Sequence, residues 1–500
     1  MKKISSVLIS LLLIAALLTF AGCGKIAEKH DPNLDVLDYA LVAADAAALQ
    51  ELDVYVNLQT LDLRGSDCYD AIESYIDSHP QVKVTYDVAV AGTRYSPNVE
   101  LLTLEDGTYE LEELLSVMKH LPRLAGLDLP KTNLTAAELD VIREAYPNLD
   151  ISYTLELLGE EMTPLGLEGL YFSNLTPAEV DENLLEKLRL LPELRWIELM
   201  DTQGNSNFTP ADVKNLMDVL PGVMMNYRFE LFGQIVTTAD ERVEFKKVPI
   251  GNEGIPEIRA ALDILPNCTY FLMDTCGVDN EVMAQLRDDY PNTKVVWRVF
   301  WNKKYHALTD VEMINANRVS TDEVQVLKYC TDVKYLDVGH SSNLRSIEFT
   351  RYMPKLKICI IVDSGVESLE PLANCPDLEW LEIVFCRKIT DLSPLTNCKK
   401  LRGVNMSTAY GIKDLTPLFE LENMERLYLG KSSVKMDMYR KAVEEMPNCW
   451  VTRSNKIVSG ISGNYAVGWR LDSGGTLSQW YLEIRDIFRY KENYYSGKYE

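Results

Sequence analysis

The chain is poor in the residues that catalysis and nucleic-acid binding draw on. Five histidines occur among 500 residues, at His30, His79, His120, His306 and His340, and none stands in a His-Glu-x-x-His or other metal-ligating spacing. No Gly-x-Ser-x-Gly elbow, Walker loop or dinucleotide fingerprint is present. Acidic residues are plentiful, yet no spacing singles out a carboxylate pair for glycoside hydrolysis. No catalytic, cofactor-binding or metal-ligating residue is therefore assigned. Basic residues are outnumbered 50 to 75, giving a net charge of −25, and such a surface repels nucleic acid and anionic headgroups. Cysteine is sparse in pattern rather than number. Of ten, Cys23 stands apart, and the other nine contain no C-x-x-C pair, so neither a zinc site nor a disulfide framework is indicated. Beyond the first twenty residues no run approaches the ~20 apolar residues that span a bilayer.

What the chain does have is repetition. Val333-x-x-Leu336-x-Val338, Leu356-x-x-Cys359-x-Ile361, Leu378-x-x-Leu381-x-Ile383, Leu401-x-x-Val404-x-Met406 and Met424-x-x-Leu427-x-Leu429 start 23, 22, 23 and 23 residues apart. Between the last strands runs a second signature, Val366-x-x-Leu369-x-Pro371-Leu372, recurring at Ile389 and Ile412. A short strand and an apolar return at this period predict a leucine-rich repeat solenoid, an α/β architecture.

A longer period precedes it. Pro80, Pro147, Pro221 and Pro291 are each followed, at four, six, eight and ten residues, by alternating apolar and aromatic positions that predict strands. Gly92, Gly159 and Gly233 at position twelve, with Lys303 in the fourth copy, predict hairpin turns. Thr135-Ala136-Ala137-Glu138 and Thr209-Pro210 predict helix starts. Interleaved strands such as Leu124-x-x-Leu127-x-Leu129 and Leu194-x-x-Ile197-x-Leu199 match the later repeats. Each unit of about seventy residues is expected to hold two leucine-rich turns with a projecting hairpin.

The register also accounts for cysteine. Cys330, Cys375 and Cys398 fall three residues before a strand, where other copies carry Leu or Met, so they are expected to be buried free thiols rather than a Cys375–Cys398 bridge.

At the N-terminus, Met1-Lys2-Lys3 and an apolar stretch to Phe20 lead into Ala21-Gly22-Cys23. This resembles the lipobox of bacterial lipoproteins, which implies cleavage before Cys23 and attachment of lipid to it. The expectation is a mature chain tethered outside the cytoplasm, since two acyl chains hold a protein on a membrane where one does not. At the other end, Leu477, Trp480, Tyr481, Ile484, Ile487 and Phe488 lie at helical spacing after Thr476-x-x-Gln479. That stripe predicts a helix capping the last core face, and Tyr490–Glu500, without period, is expected to fray. The resulting division is a leader over 1–22, a tether and lead-in over 23–50, long-period repeats over 51–330, regular repeats over 331–430, and a cap and tail over 431–500.

Ile389-Thr390-Asp391-Leu392-Ser393-Pro394-Leu395 and Ile412-Lys413-Asp414-Leu415-Thr416-Pro417-Leu418 resemble the internalin type of bacterial leucine-rich repeat. With Gly468-Trp469-Arg470 and Arg485-Asp486-Ile487-Phe488 near the end, the wider chain resembles the leucine-rich repeat lipoproteins of Firmicutes. Ser364, Arg387 and Tyr410 replace the asparagine of the internalin pattern, so the fold is implied while host-receptor binding is not.

In such strands the third, fifth and seventh positions leave the core and face the concave side. Ile358, Ile360 and Val362 occupy them on one strand, flanked by Tyr335 and Trp380. Tyr335, Ile358, Ile360 and Trp380 are therefore the expected centre of a ligand-binding surface, with Glu382 and Arg426 on its polar rim. Folding of a hairpin or the C-terminal segment over Ile358 and Ile360 is the alternative. The function expected is non-enzymatic: a lipid-anchored surface protein binding a protein, peptide or glycan, without cofactor. A structural envelope or assembly protein without soluble ligand is the competing class, and a surface glycan hydrolase a more distant one.

Overall fold

In the computed structural model the described residues are 33–38, 43–105, 109–453 and 478–497. The leader, Cys23 and the Gly468-Trp469-Arg470 segment lie outside them. Two compact units divide at Tyr227 and Arg228, away from the change of repeat type near residue 330.

The first unit contains three small parallel sheets. They are β1 (Val36–Asp38), β2 (Thr60–Asp62) and β3 (Lys83–Thr85); β6 (Leu101–Thr103), β7 (Gly126–Leu129) and β8 (Asp150–Tyr153); and β11 (Gly169–Tyr171), β12 (Trp196–Glu198) and β13 (Met224–Asn226). Hairpins β4 (Val88–Val90) with β5 (Thr93–Tyr95), and β9 (Leu155–Leu157) with β10 (Glu160–Met162), follow the first two sheets. Helices return the chain between strands. Two of them begin as their sequences predict. Thr135 and Glu138 form a reciprocal capping box, and Thr209 caps a helix with Pro210 in its first turn.

The hairpin turns carry their glycines for a backbone reason. Ala91-Gly92, Leu158-Gly159 and, in the second unit, Phe232-Gly233 all have positive φ at both residues. That is the two-residue turn whose twist matches antiparallel strands, and glycine removes the steric cost at its second position. The fourth copy differs. There β18 (Lys294–Trp301) runs unbroken from parallel pairing with β17 (Tyr270–Asp274) into antiparallel pairing with β19 (Tyr305–Leu308). Three residues, Asn302 to Lys304, make its turn, so Lys303 needs no left-handed conformation.

The second unit opens with the hairpin β14 (Arg228–Leu231) and β15 (Gln234–Thr237), then the sheet of β16 (Arg242–Lys246) with β17, β18 and β19. Seven parallel strands follow in chain order: β20 (Met313–Asn315), β21 (Tyr335–Asp337), β22 (Ile358–Ile360), β23 (Trp380–Glu382), β24 (Gly403–Asn405), β25 (Arg426–Tyr428) and β26 (Trp450–Thr452). Short 3₁₀ turns make the returns, three of them opening at Pro371, Pro394 and Pro417. Proline suits a first helical turn because its missing N–H has no partner there. Leu336, Cys359, Leu381, Val404 and Leu427 form one fully buried row beneath the sheet. Helix Met436–Glu445 and β26 close the last repeat, contributing Ala442, Met446 and Val451 to the same core.

The C-terminal helix, Gln479–Ile487, does not cap that core end. Ser478, rather than Thr476, caps it by accepting from the Tyr481 N–H, and the helix lies across the concave face. Tyr481, Ile484 and Phe488 pack there on Ile358, Ile360, Trp380 and Tyr428. The following residues are tied down rather than frayed: Ser496 exchanges hydrogen bonds with Asn315, its N–H donating to the carbonyl and its Oγ accepting from Asn315 N–H. The helix had a better apolar surface available than the core end, which β26 and helix Met436–Glu445 already close.

Cys330, Cys375 and Cys398 are fully buried free thiols, and burial pushes each up to about 12. Cys375 Sγ donates to Thr350 O and Cys398 Sγ to Leu372 O, both at 3.4 Å. Since the thiolate is the reactive form, native-state alkylation followed by mass spectrometry should leave the seven buried cysteines unlabelled, and with them half-buried Cys449, which burial also pushes up to about 12, while half-buried Cys68 reacts. Rapid native labelling of Cys375 or Cys398 would contradict this packing.

Candidate functional site

Strand register lays out the concave face of the second unit in two rows. Met313, Tyr335, Ile358, Trp380, Gly403, Arg426 and Trp450 are paired across the first, and Asn315, Asp337, Ile360, Glu382, Asn405, Tyr428 and Thr452 across the second. The structure does bring Tyr335, Ile358, Ile360 and Trp380 together, but as core. Ile358 is 6% exposed, Ile360 5% and Trp380 0%, under the C-terminal helix. An exposed apolar centre at these residues is thus ruled out by burial. Three aliphatics on a concave strand marked a surface needing cover, and the cover lies about 120 residues further along the chain.

Trp380 is the pivot of this packing. Its ring sits in the space a Cβ at Gly403 would occupy, 2.0 Å from that position, so only glycine fits on the neighbouring strand. It meets Trp480 at 5.3 Å and Tyr428 at 6.4 Å between ring centroids, and its Nε1–H donates to Glu382 Oε1 at 3.1 Å. Arg402 stacks over the outer side of Trp480 at 4.2 Å. Glu382, expected on the rim, is only 4% exposed. Arg426 is half-buried beside Tyr428, and among the described residues its enclosed Nη1 and Asn405 Nδ2 on the neighbouring strand meet no hydrogen-bond acceptor within ordinary distance.

Beside the helix a cleft of about 650 Å³ remains open. Asp337, Ile360 and Glu382 line it from the sheet, and Tyr481, Tyr490 and Tyr495 from the C-terminal segment. His340, Asp363 and Arg387 stand at its mouth, where His340 Nδ1 lies 3.6 Å from Asp363 Oδ2. Asp337 accepts the Tyr490 hydroxyl on Oδ2 and the Gly339 N–H on Oδ1 at 2.9 Å. Burial pushes its carboxyl above the usual range, and those two donors pull it part of the way back. Both Asp337 oxygens are held by the chain itself. Glu382 lies two strands away in register, roughly 10 Å at the Cα level at the usual strand spacing. The arrangement offers desolvated acceptors and tyrosine faces to a ligand, with Asp337 fixed in a structural role.

Sequence reasoning missed the tyrosines of the C-terminal segment, because nothing local marks them as partners of β21. It also missed a cluster in the first unit. Asp70 and Glu73, three apart on helix Tyr69–Ser78, meet buried His120, with one ligand atom from each within 4.8 Å of the others. By distance these residues could hold a divalent ion. His120 Nδ1 is 2.8 Å from Glu73 Oε1, and Lys119 Nζ sits 3.1 Å from Asp70 Oδ1, so the cluster is already tied together by a hydrogen bond and an ion pair.

Strand pairing, register and returns define the class: a leucine-rich repeat fold. No protein-family model and no curated protein matches the chain. Among solved structures it is similar to an internalin from Listeria monocytogenes, at 14% identity over 84% of this chain and 79% of that one, TM-score 0.24. A second internalin of that species shares 18% identity over 44% and 85%, TM-score 0.26. A leucine-rich repeat protein from Leptospira interrogans shares 14% over 84% and 96%, TM-score 0.28.

Proposed function

We propose that the protein is a non-enzymatic, lipid-anchored surface protein that binds a protein, peptide or glycan on the concave face of its second unit. The observation that carries the reading is the cleft beside the C-terminal helix, with carboxylates on its floor and tyrosines on its wall. Aromatic faces flanked by a few placed polar groups are the usual make-up of a recognition site. The entry point is the open side near His340, Asp363 and Arg387, since the apolar centre is filled. A structural envelope role is the second reading, favoured by that same filling: a helix already occupies the surface a ligand would want.

Pull-down from envelope and secreted fractions with soluble residues 24–500 separates the two. Asp363 and Arg387 are exposed, so Asp363→Arg with Arg387→Glu reverses the sign at each of these two positions, leaving their sum unchanged, without touching the core. Capture of a ligand that this double variant loses supports recognition at the cleft. Capture indifferent to it, or no capture, supports the structural role.

The anchor part of the proposal rests on Ala21-Gly22-Cys23 after an apolar leader. Cys23→Ala is expected to move the protein from the membrane to the soluble or secreted fraction and to abolish incorporation of labelled fatty acid. Continued membrane partition with label would refute the anchor.

A further inference from the structure

The two units carry one local device twice, and only one copy is covered. In β23 the outward residues are Trp380 and Glu382 around buried Leu381; in β12 they are Trp196 and Glu198 around buried Ile197. Each tryptophan faces a glycine on a neighbouring strand, Trp380 with Gly403 and Trp196 with Gly169. In both, a Cβ on that glycine would come within 2.0 Å of the indole ring. The match is therefore one of residue type and of contact, with the glycine on the following strand in the covered copy and on the preceding strand in the open one.

Their surroundings differ. Trp380 is fully buried beneath the C-terminal helix, which sets Trp480 against it and buries Tyr481 and Ile484 alongside. Trp196 is only half-buried. Tyr171 stands edge-on to it at 5.3 Å and is 70% exposed, and Met224, its register partner on β13, is 46% exposed. Three large apolar side chains on one small sheet make an interaction surface rather than a scatter of single exposed residues.

We propose that the Trp196 face of the first unit docks an amphipathic α-helix of a protein partner, one whose apolar side presents a tryptophan or tyrosine with an aliphatic residue one turn on. The occupant is chosen by the molecule's own example, since the covered copy of the device is closed by a helix of that chemistry. This site is separate from the cleft proposed above and stands or falls independently of it.

The test uses the purified full chain and a fluorescein-labelled peptide of residues 478–497, whose helix packs on the Trp380 face. Fluorescence anisotropy is expected to show saturable binding. Tyr171→Glu and Trp196→Ala should each weaken it at least tenfold, and a peptide with Trp480 and Ile484 replaced by serine should not bind. Tyr171 is exposed, so its substitution leaves folding intact even if loss of Trp196 does not, and circular dichroism checks both. Absence of binding to the unaltered chain overturns the proposal. So does binding unchanged in Tyr171→Glu, which would place the peptide elsewhere, including on the second unit in exchange for its own helix.

Discussion

Trp380→Ala is expected to destabilise the second unit by about 3–5 kcal/mol, the range for emptying a large aromatic site in a packed core. The indole has no exposed surface, and its neighbours are held from three sides: Gly403 below, Tyr428 on the sheet, Trp480 on the C-terminal helix. Removing it opens a cavity and also deprives buried Glu382 of the N–H at 3.1 Å, which adds the cost of an underserved acceptor. Gly403 and Trp480 sit on separate elements, so the gap has no simple way to collapse. Urea denaturation followed by far-ultraviolet circular dichroism measures the loss. Hydrogen exchange should show protection falling first over residues 479–487, because that helix loses its main contact while the sheet keeps its ladder. A loss below about 1 kcal/mol would mean that the helix is not anchored here.

The parts of this fold that were legible in the sequence are those set by local periodicity. A buried row such as Leu336, Cys359, Leu381, Val404 and Leu427 recurs because each repeat solves the same packing problem with the same few positions. Hairpin glycines were legible for a similar reason, since a turn with positive φ leaves few residue choices. Placement of the C-terminal helix was legible only as the alternative cover for Ile358 and Ile360, against the core-end cap that its stripe first suggested. Its stripe of Trp480, Tyr481, Ile484 and Phe488 announced an apolar face but carried no information about which of two apolar surfaces it would meet. Ile358 and Ile360 announced the complementary surface, and the two halves of that contact are joined only through tertiary structure. The Asp337–Tyr490 pair, 153 residues apart, and the Asp70–Glu73–His120 cluster are invisible for the same reason. Polar partners brought together by the return of the chain leave no periodic trace.

Tyr490→Phe tests whether the C-terminal segment is held by that buried pair, and it is expected to cost about 2–3 kcal/mol at neutral pH, the scale of a hydrogen bond to a charged group. Both residues keep some surface toward solvent, but the paired atoms lie in a dense surround, and burial is the first cause of both pKa shifts. Asp337 is raised above the ordinary carboxylate range, so the folded state binds its proton more tightly than the unfolded state does. Its contribution to stability is therefore complete below the ordinary carboxyl pKa and falls away as pH rises through the elevated value. Tyr490 is held well above 10, so its contribution survives to alkaline pH and is lost only beyond that. Without the hydroxyl, Asp337 keeps the Gly339 N–H as its hydrogen-bond donor among the described residues, and its carboxyl rises further. The penalty of Tyr490→Phe should then shrink at about pH 4, where a protonated Asp337 no longer needs a donor, and grow toward pH 7. Asp337→Asn in the same background should recover part of the loss at neutral pH, because a neutral amide has less need of the missing hydrogen bond. Equal destabilisation at both pH values, with no recovery by Asp337→Asn, would show that the tyrosine acts through its ring alone.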